Sequence, residues 1–269
     1  MKTEKQTAPA HPVVSRPVVS RDEWLRARTA LLAKEKEHTR QGDELARQRR
    51  ALPWVRVDKS YRFTGPQGEL SLADLFRGKS QLVVYHFMFG PDWEEGCPSC
   101  SFLGDHFDGP LVHLEHRDVS FTAVSRAPVA KLQAFQKRLG WRFPWISSAG
   151  GDFSHDFGVS FTKAELDGGE VDYNFRTEPA FLEDLPGLSV FCRDGAGRVF
   201  HTYSTYARGL EPLLGTYAML DLVPKGRDED GLAFSMAWVR YNDRYGKDYA
   251  VDAEAGFKAP AGADFRGGK

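Results

Sequence analysis

Residues Leu82-Val83-Val84-Tyr85-His86-Phe87-Met88-Phe89 form a run of eight, apolar or aromatic everywhere except His86. A strand with one wet face alternates apolar and polar residues, whereas an unbroken run of this length marks a strand covered on both faces. Such a strand sits inside a sheet flanked by layers on both sides. No other stretch of the chain restricts the architecture as tightly.

The flanking segments predict an α/β fold around it. Upstream lie a short strand at Tyr61-Arg62-Phe63, a turn over Gly65-Pro66-Gln67-Gly68, and the segment Leu70 to Phe76, ended by Gly78. Downstream, a short helix carrying Phe102, Leu103 and Phe107 is expected to stop at Asp108-Gly109-Pro110. Val119 to Ser125 reads as a strand, Pro128 to Leu139 as a helix ended by Gly140, and Phe143 to Ser147 as a short strand. This β-α-β-α-β order favours parallel pairing and right-handed crossovers, hence a central sheet with helices on both faces. Leu188 to Cys192 and Arg198 to Tyr203, joined by Arg193-Asp194-Gly195-Ala196-Gly197, add an antiparallel hairpin that makes the sheet mixed, and Leu210 to Leu222 a last amphipathic helix. Residues 160–185 read as a loop-like insertion with no assigned element.

Outside that core the chain reads as appendages. Residues 1–19 have the composition of a disordered leader, and Ser20 with Glu23 forms a capping box opening a helical extension over 20–50. Trp24, Leu25, Leu31 and Leu32 lie on one stripe of this extension, and Gly42-Asp43 is expected to interrupt it. The main domain is assigned to 51–224. Beyond Pro224, residues 225–269 read as a charged extension and a Gly- and Ala-rich tail.

Composition narrows the partners. The 27% charged residues nearly cancel to a net charge of −1, which excludes the basic footprint of a nucleic-acid binder. The leader is broken by Pro9, Pro12 and Pro17 and lacks the apolar segment of a signal peptide. No run approaches the ~18 apolar residues of a membrane span, so no membrane partner is expected. The expected location is the cytoplasm, where structural disulfides are rare.

The chain has three cysteines, and two of them, Cys97 and Cys100, stand as CxxC directly after the apolar strand. With Cys97 as N-cap and Pro98 at the first helical position, where its missing N–H costs nothing, the Cys97 thiol would face the free N–H groups and positive end of a helix. That arrangement makes Cys97 the nucleophile and Cys100, three residues on, the resolving thiol. The same pair is half of a zinc site. His113 and His116 complete a C-x2-C-x12-H-x2-H spacing that misses the zinc-finger template by one residue, and as a strand the two histidines would point to opposite faces. His106 reads as a base or as a surface residue, and Cys192 as a small buried residue. Asp92, Glu94 and Glu95 would raise the Cys97 pKa if they fold close to it.

The order of an apolar strand running into CxxC at a helix start resembles the thioredoxin fold. Gly68 to Lys79, Phe121-Thr122-Ala123-Val124-Ser125 with Ala134-Phe135 and Phe143-Pro144-Trp145, and Asp156-Phe157-Gly158-Val159 are similar to elements of its peroxiredoxin and thiol-disulfide oxidoreductase branch, over about residues 55–220. The words FMFGPDWEEGCPSCSF, HFDG, VSRAP, GWRFPW, FHTYSTYARG and LLGTY resemble a family of bacterial proteins of unknown function assigned a thioredoxin-like fold. The resemblance implies a cytoplasmic thiol-disulfide oxidoreductase or redox-responsive protein, without a cofactor, whose partner is a protein disulfide or a small oxidised thiol. It also implies a cis Leu185-Pro186 bond packed near Cys97, with Pro186 shaping the docking surface. Two departures qualify it. Gly96 precedes Cys97 where thioredoxins carry an aromatic residue, and Glu94 stands where peroxiredoxins need a threonine, so peroxidase activity is not implied. The alternatives are a zinc-binding module built on Cys97, Cys100 and His113 or His116, and a scaffold for protein interaction.

Overall fold

The computed structural model describes residues 15–246. In chain order it contains α1 (Arg21–Arg50), β1 (Val55–Arg56), β2 (Arg62–Gly65), β3 (Gly68–Ser71), a 3-10 turn (Asp74–Phe76), β4 (Gln81–His86), α2 (Pro98–Gly104), α3 (Asp108–His116), β5 (Val119–Ser125), α4 (Val129–Leu139) and β6 (Trp145–Ser147). There follow α5 (Phe153–Asp156), α6 (Lys163–Asp167), β7 (Glu170–Tyr173), β8 (Arg176–Pro179), β9 (Gly187–Arg193), β10 (Val199–Tyr206), a second 3-10 turn (Ala207–Leu213) and α7 (Gly215–Leu220).

Eight strands form one mixed sheet in the order β1-β10-β9-β4-β5-β6-β2-β3. Strand β4 is central. It runs parallel to β5, with Tyr85 opposite Ala123, and antiparallel to β9, with Tyr85 opposite Leu188. The β4-α2-β5 unit beside the β9-β10 hairpin gives the thioredoxin fold, with an N-terminal helix added.

The alternation of β4 explains its apolar run. Leu82 and Val84 enter a cluster with Phe63, Phe76 and Phe153 on one face, while Tyr85 enters the cluster of Phe87, Cys97, Cys100, Leu132 and Phe135 on the other. The 3-10 turn and α5 cover the first face, and α2, α4 and α7 the second. His86 points to the first face, stacked on Phe153 and Phe157. Its Nε2 lies 2.9 Å from Ser189 Oγ, which continues through Ser204 Oγ to His201 Nε2, a buried polar chain across three strands.

The structure corrects several expectations. Helix α1 runs unbroken through Gly42-Asp43. A glycine there costs about 1 kcal/mol, and the Arg40–Glu37 and Arg47–Glu44 pairs bracket it. The Ser20–Glu23 capping box is present, and none of the helix is buried. Asp108-Gly109-Pro110 opens α3 instead of ending a helix: Pro110 falls in the first turn, where backbone N–H groups have no intrahelical acceptor. The final helix is split, with Pro212 inside a 3-10 turn before α7. Residues 160–185 hold α6, opened by a Thr162–Glu165 capping box, and the β7-β8 hairpin. The charged extension beyond Pro224 packs back on the domain, with Val239 and Tyr241 buried in the cluster that contains the cysteine pair. The leader over 1–14 and the Gly- and Ala-rich end lie outside the described residues.

Candidate active site

Strand β4 ends at His86, and residues 87–96 loop over the sheet edge to Cys97. Lys131 on α4 pins this loop from below, its Nζ donating to Pro91 O at 2.9 Å and Trp93 O at 2.7 Å. The Cys97 N–H donates to Met88 O at 3.0 Å. Cys97 is the N-cap of α2 (φ −56°, ψ 130°) and Pro98 its first residue, as the local sequence dictates. Ser101 donates to the Cys97 carbonyl through both its N–H and Oγ, each at 2.9 Å.

Gly96 is fixed by close approach. A Cβ there would lie 2.7 Å from Phe87 Cε1 and 3.2 Å from Phe135 Cε1. Two phenylalanines therefore fill the space that an aromatic residue before the first cysteine would need.

Both thiols of the pair are free and buried, Cys97 at 5% exposure and Cys100 at 2%. They are not equivalent. Cys97 is held below the ordinary cysteine pKa, first by a hydrogen bond from the Cys100 thiol and further by the N–H groups of Cys100 and Ser99, against the opposing effect of burial. Burial pushes Cys100 well up, and a charge on Cys97 pushes it further. The acidic residues before Cys97 do not reverse this. Asp92 and Glu94 are exposed, and Glu95 is neutralised by Arg138 and Arg244.

Three tyrosines that sequence reasoning missed complete the site. Tyr85, buried on β4, hydrogen-bonds Cys100, and burial with the neighbouring thiols keeps its phenol protonated. Tyr173 on β7 donates to Pro186 O at 2.6 Å, and burial together with Cys100 raises its pKa. Tyr241 donates to Gly96 O at 2.6 Å, next to Cys97. Tyr85 lay unremarked in the apolar run. Tyr173 and Tyr241 come from the unassigned insertion and the charged extension, and no local pattern links them to the cysteines.

Among the other sequence candidates, Pro186 joins the site through Tyr173. The Leu185-Pro186 bond, however, is not cis, and no cis bond occurs among the described residues. The segment before β9 is extended, with Asp184 bridging Ser160 and Leu185 N–H donating to Val159 O at 2.9 Å, so a trans bond continues it. His113 and His116 are helical, not extended, and both are exposed on α3, whereas the cysteines are buried. Among the described residues no group of three or more His, Cys, Asp or Glu side chains is placed to hold a metal ion. His106 is structural: Nδ1 donates to Phe102 O at 2.7 Å and Nε2 accepts from Thr216 N–H at 3.0 Å, tying α2 to α7. Cys192 is half-buried on β9, paired with Phe200, and burial raises its pKa. Two open clefts of about 550 and 560 Å³ lie around Asp156, Gly158 and Asp172, and neither is lined by Cys97 or Cys100.

Topology and connectivity thus define a thioredoxin-fold protein with a buried thiol pair at the start of the helix that follows its central strand. The chain belongs to the family described as "Bacterial protein of unknown function (DUF899)", whose model matches residues 13–245. No curated protein matches it. Among solved structures it is similar to the peroxidoxin BcpB from Mycobacterium tuberculosis, at 16% identity and a TM-score of 0.41 over 61% of this chain and 95% of that one. It is also similar to a cysteine-to-serine mutant of PrxQ from Xylella fastidiosa, at 16% identity and a TM-score of 0.40 over 62% and 95% of the two chains. Among the described residues no helix is long and apolar enough to cross a membrane.

Proposed function

We propose that the chain is a thiol-disulfide oxidoreductase that uses Cys97 and Cys100 as a dithiol. The observation that supports this reading most is the asymmetry of the pair: one thiol is favoured as thiolate and its neighbour as thiol. The Cys97 thiolate attacks one sulfur of a partner disulfide, forming a mixed disulfide and releasing a thiolate that takes up a proton. Cys100 then loses its proton and attacks Cys97 Sγ, the second partner thiolate leaves, and the pair ends as a disulfide. Two electrons and two protons have passed to the partner, either a protein disulfide or a small oxidised thiol. Tyr85 supplies a hydrogen bond to Cys100 as its charge develops. Glu94, in place of the threonine of peroxiredoxins, argues against peroxide as the substrate.

The test is a thiol titration with and without oxidant, alongside trapping. A Cys100→Ser variant should accumulate a mixed disulfide through Cys97, and a Cys97→Ser variant should not. A wild-type pair that stays reduced under oxidant, with no trapping by Cys100→Ser, would sink the reading.

A further inference from the structure

The proposed exchange requires Cys97 to meet a partner sulfur, yet its thiol is 5% exposed. Next to it lies the segment 239–245, which has neither helix nor strand and whose Tyr241 shares the cluster of Cys97. Tyr241 brings its hydroxyl onto the Gly96 carbonyl at 2.6 Å and its ring against Phe135, 5.4 Å between centroids. Two guanidiniums, Arg138 and Arg244, each lie 5.1 Å from the centre of the same ring. Charge does the rest of the fastening: Asp243 pairs with Arg138 at 2.7 Å, Arg244 with Glu95 at 2.5 Å, and Arg138 also with Glu95. Asn242 donates to Asp105 at 2.7 Å.

The segment is anchored by few apolar groups. Of residues 239–245, Val239 and Tyr241 are the buried hydrophobic ones, while Met236 and Trp238, just before it, pack on the core and mark where the segment is rooted. Its ionic fastenings are open to water, with Arg138, Glu95 and Asp243 28, 30 and 36% exposed and Arg244 47%. A segment without backbone ladders, fastened by wet charges, opens at far lower cost than the sheet beneath it. The surface it occupies offers a backbone acceptor at Gly96, an aromatic edge at Phe135 and a cation at Arg138. Those groups recognise an aromatic hydroxyl followed closely by a carboxylate, which is what Tyr241 and Asp243 provide.

We propose that residues 239–245 are a displaceable strap on the partner-docking face of the thiol pair, and that an extended polypeptide bearing an aromatic residue close to a carboxylate displaces it. The proposal rests on the dithiol reading but is tested without it, because alkylation needs only thiols.

The experiment follows the alkylation rate of Cys97 by iodoacetamide in the reduced full-length protein, read by mass spectrometry, with Cys192 as the internal control. Wild type should react slowly in dilute buffer and on the order of tenfold faster near 1 M salt, where the screening length falls to ~3 Å. Arg138→Gln should react at the fast rate in both buffers. The Cys192 rate should not change, which separates local opening from unfolding. A Tyr241→Ser variant should also react fast, and a synthetic peptide with the sequence of residues 239–244 should restore protection, whereas the same peptide with serine for tyrosine and asparagine for aspartate should not. Equal Cys97 rates in wild type and Arg138→Gln, or equal protection by both peptides, overturns the proposal. Should the pair prove unable to oxidise while these rates follow the pattern, the exchange reading falls and the strap stands.

Discussion

Acid should weaken this fold through His86. Its imidazole is fully buried and stacked against the adjoining rings of Phe153 and Phe157, Nε2 is engaged with Ser189, and Nδ1 has no partner among the described residues. A proton on Nδ1 would place a bare cation in the core, so burial, reinforced by His201, presses the folded pKa down to about 3 from 6.5. The folded value is depressed, so below pH 6.5 the unfolded chain binds the proton that the folded chain refuses. The stability is therefore complete above pH 6.5 and is lost as pH falls toward 3. Between pH 7.5 and 5.0 the loss is RT ln(1 + 10^1.5), about 2 kcal/mol. That figure hardly depends on the folded value, which already lies well below pH 5. Urea unfolding of wild type and His86→Gln at the two pH values isolates it, because glutamine can keep the bond to Ser189 and every other titrating group is common to both proteins. Wild type should lose about 2 kcal/mol more than the variant on going to pH 5.0. Equal losses would show that His86 is not held neutral in the core, and the argument from burial would fail.

Two further outcomes follow from close contacts. Gly96→Ala should cost about 1–3 kcal/mol in urea unfolding at pH 7.5, because the new methyl meets Phe87 at 2.7 Å and the flanking rings are packed. Asp184→Asn should cost about 1–2 kcal/mol by the same measurement: asparagine turns the charge-assisted bonds from Arg126 at 2.7 Å and Ser160 at 2.6 Å into neutral ones, while Arg126 keeps Glu183 at 2.7 Å.

The centre of the fold was legible because β4 carries both periodicities that matter, apolar on each face and a CxxC at its end. The Cys97-Pro98 helix start was legible for the same local reason: an N-cap and a proline at the first helical position are near-neighbour effects. The Thr162–Glu165 capping box was equally local and went unread, though it marks α6 as plainly as Ser20 and Glu23 mark α1. Other features had no local signature. Pro110 reads as a helix breaker unless the helix is known to begin there, and that error carried His113 and His116 with it. Tyr241 reaches Gly96 across 145 positions of sequence, in a stretch whose composition looks solvated. The Leu185-Pro186 bond follows the Ser160 pairing, which lies in the segment that had no assignment.

Strand β4 also carries a constraint on length. Tyr85 faces the thiols and His86, one peptide bond away, faces the phenylalanine pocket of the opposite side. A single residue inserted within the strand would exchange them, setting an imidazole beside Cys100 and a phenol against Phe153 and Phe157. Two inserted residues would restore the order. Changes in the length of this strand are therefore compatible with both faces only in even steps, and the thiol pair on one side is locked in phase with the uncharged histidine on the other.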